Sequence, residues 1–199
     1  MKDDVIFFDR IAPKWDSMEV LSLPDKVRHI LGVIGIAEGD RVLDLGTGTG
    51  LLIPYICGMI GPQGSVTGVD FSQGMLDRAV AKCGGLTPAP RFLKSDFEEE
   101  NVEGCYNHIL LYCVYPHLHR AEATLHRLYL ENLLPGGRIT VAFPTDEHFI
   151  NNIHHRRNVE SEKLPPAGEL SRRFRDMGFE SEVLEATPDS YIVSISKPK

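Results

Sequence analysis

The run Val42-Leu43-Asp44-Leu45 stops abruptly in Gly46-Thr47-Gly48-Thr49-Gly50, and Val66-Thr67-Gly68-Val69-Asp70 follows as a second strand-like run. An apolar run that ends in glycines ahead of a helix-like pattern is how a parallel strand turns into a ligand-binding loop. The second run ends in a lone carboxylate, where the hydroxyls of a ribose would lie. Together they point to a nucleoside-bearing cofactor.

The glycine spacing narrows the choice. Gly46, Gly48 and Gly50 alternate, and Leu51 stands where a dinucleotide-binding loop needs its last glycine to bring a helix N-terminus to a pyrophosphate. Asp44 would direct a negative charge at phosphate, whereas a free ammonium group would welcome it. The residues therefore favour S-adenosylmethionine over a dinucleotide. Glycines alone are equally compatible with a tight structural turn; Asp44 and Asp70 at this spacing argue against that.

A chain of 199 residues, 42% hydrophobic and 25% charged, suffices for one domain with a substantial core. The formal net charge of −7 argues against a nucleic-acid backbone as main partner, which needs a basic face. No apolar stretch reaches the length of a membrane span, and Met1-Lys2-Asp3-Asp4 does not read as a secretion signal. Cys57, Cys83, Cys105 and Cys113 show neither close pairing nor zinc-ligand spacing, so reduced thiols in a cytoplasm, and no metal, are expected.

Strand-like and helix-like segments alternate, which predicts helices on both faces of a mostly parallel sheet. Helices are expected over Pro24–Ile34, Leu51–Ile60, Ser72 (as cap) to Cys83 and Ala121–Leu134, with a further stripe of Leu170, Phe174 and Met177 ended by Gly178. Strands are expected over Arg41–Leu45, Ser65–Asp70, Arg91–Ser95, Asn107–Tyr112 and Arg138–Phe143, the last after a break at Pro135-Gly136-Gly137. Glu180–Ala186 and Tyr191–Ser196 flank the turn Thr187-Pro188-Asp189-Ser190 and read as an antiparallel hairpin at the sheet edge.

From Val42 to Phe143 the chain resembles a class I S-adenosylmethionine-dependent methyltransferase. The resemblance rests on Val42 to Gly50, on Asp70, on Lys94-Ser95-Asp96-Phe97, on Tyr106 to Leu118 and on Leu134-Pro135-Gly136-Gly137. Phe7 to Asp16 also resembles the N-terminus of the quinone C-methyltransferases. This implies an α/β fold: a Rossmann-like, doubly wound, mostly parallel seven-stranded sheet with an antiparallel C-terminal hairpin and helices on both faces. One domain is expected, with residues 1–37 as a helical cap or lid, 38–145 as the cofactor-binding core, and 146–199 as the substrate-side segment and hairpin.

The resemblance assigns Gly46, Gly48 and Gly50 to the methionine and ribose parts of the cofactor and Asp44 to its ammonium. It assigns Asp70 to both ribose hydroxyls, a charge-assisted bidentate contact, and Asp96 to the adenine amine. Phe71 and Phe97 would lie near the ring faces, with Thr47, Met75 and Cys113 completing the cofactor set. Asp96 as a loop cap and Phe97 as plain core remain alternatives. His117 and Tyr115, after the fourth strand, are the candidates to take a proton from the acceptor, should it need to lose one, or to orient it; packing and helix capping are the alternatives. His154-His155-Arg156-Arg157 lies after the fifth strand, where a lid or substrate wall could form. Neighbours on a helix point about 100° apart and would not chelate one ion. A solvated basic face is therefore expected, with attraction of an anionic acceptor as the alternative.

The expected function is methyl transfer to a small-molecule acceptor. Competing readings are a non-catalytic module that binds S-adenosylmethionine, an NAD-dependent oxidoreductase, and a metalloid methyltransferase using Cys105 and Cys113. Oligomeric state and the acceptor atom are not expressed in the sequence.

Overall fold

A strand with no polar face must be covered on both sides, and the run Val42-Leu43-Asp44-Leu45 is buried throughout as β1 (Arg41–Leu45). The computed structural model describes residues 8–13, 23–157 and 162–199. In it β1 lies between β2 (Ser65–Asp70) and β4 (Tyr106–Tyr112), parallel to both. Outside β2 lies β3 (Arg91–Lys94), and beyond β4 lies β5 (Leu133–Phe143), again parallel. The hairpin of β6 (Glu180–Thr187) and β7 (Ser190–Ser196) closes the sheet, with β7 antiparallel to β5. The strand order is β3-β2-β1-β4-β5-β7-β6, the mostly parallel seven-stranded sheet with a terminal hairpin that was expected.

Alternation along the central strands divides the apolar residues between two cores. Leu43 and Leu45 of β1 join Ile109 and Leu111 of β4 on one face. There they pack with α4 (Ala121–Arg127) and α6 (Ala167–Asp176) through Leu125, Leu170 and Phe174. Val42, Val66 and Leu110 point to the other face and meet α1 (Pro24–Ile34) and α2 (Ile53–Ile60). The helix α3 (Gln73–Cys83) is capped by Ser72, whose Oγ accepts the Met75 N–H at 3.2 Å. The helix α5 (Glu147–Arg157) follows β5. Of the basic run on α5, the side chains of His154, Arg156 and Arg157 lie outside the described residues, and His155 is exposed.

The region before β5 departs from the expected single helix over Ala121–Leu134. The α-helix ends at Arg127, widens into a π-turn at Leu128–Asn132, and β5 already begins at Leu133. Two long-range side chains enforce this. Buried Asn132 donates its amide to the carbonyls of Val102 (2.5 Å) and Gly104 (2.8 Å). Lys197 Nζ donates to the carbonyls of Tyr129 (2.7 Å) and Leu133 (2.8 Å), groups that a continuing helix would have bonded internally. Pro135, without an N–H, is tolerated because the register between β4 and β5 shifts beside it.

Ile109, fully buried in the middle of β4, tests the core directly. Ile109→Ala is expected to cost about 2–5 kcal/mol of unfolding free energy, read by urea denaturation at unchanged m-value. A loss well under 1 kcal/mol would show that this face is loosely packed.

Candidate functional site

The strand order reverses between β1 and β4, and the crevice beyond the C-terminal ends of the strands at such a point is where α/β sheets bind ligands. Here the cleft is built from the tips of β1, β2 and β4 and the turns that follow them.

At the tip of β1, Asp44 is 2% exposed and accepts a hydrogen bond from Thr47 Oγ1 at 2.7 Å. Burial in a dry site pushes its carboxyl up to about 7, against the opposing pull of the Thr47 bond. Thr47 is itself fixed by its N–H, which donates to Val69 O of β2 at 2.9 Å. Gly46 has φ +68°, and a Cβ there would lie 2.5 Å from Val114 Cγ2. Backbone conformation and space therefore both exclude a side chain. Gly50 serves a different purpose: a Cβ there would press on Ala79 and Cys83 of α3 at 3.2 Å, and the residue is not on the cleft wall.

At the tip of β2, Asp70 accepts the Gly48 N–H on one oxygen (2.8 Å) and the Ser72 N–H on the other (2.9 Å). Burial raises its carboxyl above the ordinary range, while these two donors pull it back. The glycine turn and the start of α3 are thus both tied to one carboxylate. Ser72 Oγ in turn donates to Asp9 Oδ1 at 2.5 Å, and the Gly74 N–H donates to the same oxygen at 3.0 Å. These bonds hold the Asp9 carboxyl below its usual range. Phe8, beside it, meets Phe71 edge-on at 5.6 Å and His117 at 6.3 Å, and so covers the cleft. Phe7 and Trp15 lie outside the described residues.

The cleft wall brings together Asp44, Gly46, Thr47, Gly48, Asp70, Phe71, Met75, Asp96, Phe97, Cys113 and His117. Two of these have double roles. Asp96 lines the cleft while its carboxylate accepts the Glu98 N–H at 3.0 Å, capping its own turn. Phe97 is both wall and core, 5% exposed. Tyr115 is not brought in. It packs edge-on against Phe174 of α6 at 5.7 Å, and burial raises its phenol, which makes it a poor base. Cys105 precedes β4 and Cys113 follows it, so the strand separates them and they form no shared thiolate site.

Sequence spacing missed several wall residues: Leu51, Leu52, Glu98, Tyr112, Val114, Leu118 and His119. Glu98 accepts the N–H groups of His119 (3.1 Å) and Arg120 (2.7 Å), bracing the turn after β3 against the start of α4. Its partners are far along the chain, and no local pattern announces them. Tyr112 and Val114 flank Cys113 and would have been found by treating the whole tip of β4 as wall. Among the described residues no group of His, Cys, Asp and Glu is placed to hold a metal ion, and no helix is long and apolar enough to cross a membrane.

A family model described as a methyltransferase domain matches residues 42–137. That span is just under half of the chain. The match opens at β1 and includes the glycine turn, Asp70, Asp96 and all of β4. The domain is 38% identical over 88 residues to a demethylmenaquinone methyltransferase of Lactobacillus johnsonii, covering 42% of this chain and 36% of that protein. It is 38% identical over 118 residues to a ribosomal protein L11 methyltransferase of Thermus thermophilus, covering 59% and 41%. The chain thus spans less than half the length of these curated relatives. In fold it is similar to a putative methyltransferase of Haloferax volcanii solved with the Trm112 methyltransferase activator, with a TM-score of 0.78, 21% identity and 96% of each chain covered.

Because the Asp44 carboxyl is raised on folding, the folded domain binds a proton that the unfolded chain releases between about pH 4 and 7. That contribution to stability is present at low pH and is lost as pH rises through 7. Asp44→Asn removes it: between pH 5 and 8 the ligand-free variant gains thermal stability relative to wild type. Parallel melting curves across this range would show that Asp44 is not buried as described.

Proposed function

We propose that this chain is an S-adenosylmethionine-dependent methyltransferase acting on a small-molecule acceptor. One observation carries the reading: two buried carboxylates, Asp44 and Asp70, stand at adjacent strand tips on either side of a glycine turn that admits no side chain at position 46. The arrangement fits an elongated ligand with an ammonium at one end and a ribose diol further along. A pyrophosphate in the same place would face two carboxylates.

Asp70 is the residue to hold the ribose hydroxyls. Its two backbone donors orient the carboxylate and leave lone pairs on both oxygens for the diol. Asp44, when ionised, holds the ammonium, and the bare peptide at Gly46 and Gly48 lets the ligand lie against the backbone. Asp96 with Phe71 and Phe97 forms the adenine end. When bound, the cofactor supplies a methyl group on a sulfonium, an electrophile whose transfer removes a positive charge. The protein's part is then alignment and exclusion of water. Phe8 and Phe71 give apolar cover, and His117 faces the cleft where it can take a proton from an acceptor that must lose one.

The matched relatives act on a quinone precursor in one case and a ribosomal protein in the other, as their names state. A small acceptor is favoured here because Phe8 stands over the cleft against Phe71 and His117, and because the net charge of −7 suits no polyanionic partner.

Titration calorimetry with S-adenosylhomocysteine tests the cofactor, and radiolabelled methyl transfer to a panel of phenols, quinols, amines and thiols tests the activity. Binding without transfer to any acceptor would favour a non-catalytic module; no binding would overturn the proposal. Asp70→Ala is expected to weaken S-adenosylhomocysteine by about 1.5–3 kcal/mol, roughly tenfold to a hundredfold. Wild-type affinity should also fall as pH is lowered from 8 to 6, by up to about tenfold per pH unit below the Asp44 titration near 7. Asp44→Asn should bind weakly with a flat profile over the same range.

A further inference from the structure

The chain leaves β4 by a route that a strand end does not require. Cys113 is the one non-glycine residue with left-handed backbone among the described residues, at φ 58°. Side chains disfavour that conformation, so surrounding contacts must hold it. One is the Cys113 N–H, which donates to Ala142 O of β5 at 2.9 Å. The kink sends Val114 sideways onto the glycine turn. Its Cγ2 sits 2.5 Å from where a Cβ on Gly46 would be, and its Cγ1 at 3.4 Å, so the isopropyl group occupies the space a side chain at position 46 would need. The Val114 carbonyl then accepts the His117 N–H at 2.8 Å, closing the single turn Tyr115–His117 that sets His117 on the cleft wall. A β-branched side chain has restricted χ1 freedom, so this seat is stiff.

We infer that Val114 is a positioning residue: its side chain rests on Gly46 and thereby fixes how far His117 stands from the glycine turn. This rests on reading the cleft as a methyltransferase site, where that separation is the one a methyl group must cross and small misplacements are expensive in rate. Val114 lines the cleft, but its part here is played through Gly46 and the turn that carries His117. It transmits the position of the cofactor turn to the acceptor wall.

The test is a double-mutant cycle in the full chain with Gly46→Ala, Val114→Ala and the pair. Thermal midpoints and S-adenosylhomocysteine affinity are measured for all four proteins, and the ring resonances of His117, assigned by loss in His117→Gln, are followed with and without that ligand. Gly46→Ala is expected to lower affinity by about tenfold or more, through both strain and collision. Adding Val114→Ala should recover about threefold or more of this, because it removes the colliding methyl while leaving the backbone strain; such non-additivity is the mark of direct contact. Val114→Ala alone should roughly halve the His117 resonance shift caused by ligand, and Val114→Ile, which keeps the β-branch, should restore it, a rescue that simple loss of packing does not produce. Strict additivity, or a His117 response identical to wild type in Val114→Ala, overturns the inference. If Gly46→Ala does not fold, the comparison of Val114→Ala with Val114→Ile decides through the His117 response. If wild type fails to bind S-adenosylhomocysteine, the proposed function fails, and the thermal cycle still decides whether the contact exists.

Discussion

A carboxylate buried at the end of the central strand sets the terms for the structure around it. Asp44 sits at 2% exposure with Thr47 as its hydrogen-bond partner, and the desolvation it suffers lifts its proton affinity to neutrality. An apolar residue of similar size would fit the strand better. An acid in this place suits the proposed role, in which a cation completes the site, since a buried charge with no charged partner is costly. The turn that follows must then supply Thr47 at the right distance and leave bare backbone beside it. Gly46 and Gly48 on either side of Thr47 do this. Stability given up at the strand tip becomes affinity when a positive group arrives.

The second carboxylate works by a different economy of contacts. Asp70 is nearly as buried as Asp44, but two backbone N–H groups point at it, one from the glycine turn and one from the start of α3. It therefore braces the site as well as facing the ligand. Through Ser72 the brace extends to Asp9, so the segment that carries Phe8 is anchored to the same corner that would hold the ribose. Cover and cofactor grip share one hydrogen-bonded chain.

What could be read from the amino-acid order follows from this construction. Strands buried on both faces announce themselves as apolar runs, and the capping Ser72 and the hairpin turn Thr187–Ser190 are local chemistry. The turn from β1 and the acids at the strand tips are also local, so the part of the cleft wall that they form was legible. The π-turn before β5 was not, because Asn132 and Lys197 bond groups far away in the chain and override the helical stripe of Leu125, Leu128 and Tyr129. Gly50 followed the glycine alternation yet packs against Ala79 and Cys83. Tyr115 followed the strand tip yet turns towards Phe174. In each case spacing was right and direction was set by a partner that spacing does not reveal.

The two halves of the cleft therefore differ in how they are encoded. The proposed cofactor half stands on acids at or just past the ends of β1, β2 and β3, places that local sequence marks. The proposed acceptor half depends on contacts that local sequence does not mark: Val114 meets Gly46, Glu98 meets His119 and Arg120, and Phe8 meets His117. Each contact joins segments that can change separately. A substitution at Glu98 would reshape the proposed acceptor space without touching Asp44 or Asp70, whereas one at Asp9 would also reach Asp70 through Ser72. On the proposed reading, choice of acceptor lies in these contacts that bridge the loops, since they can vary while the strand-tip acids stay in place.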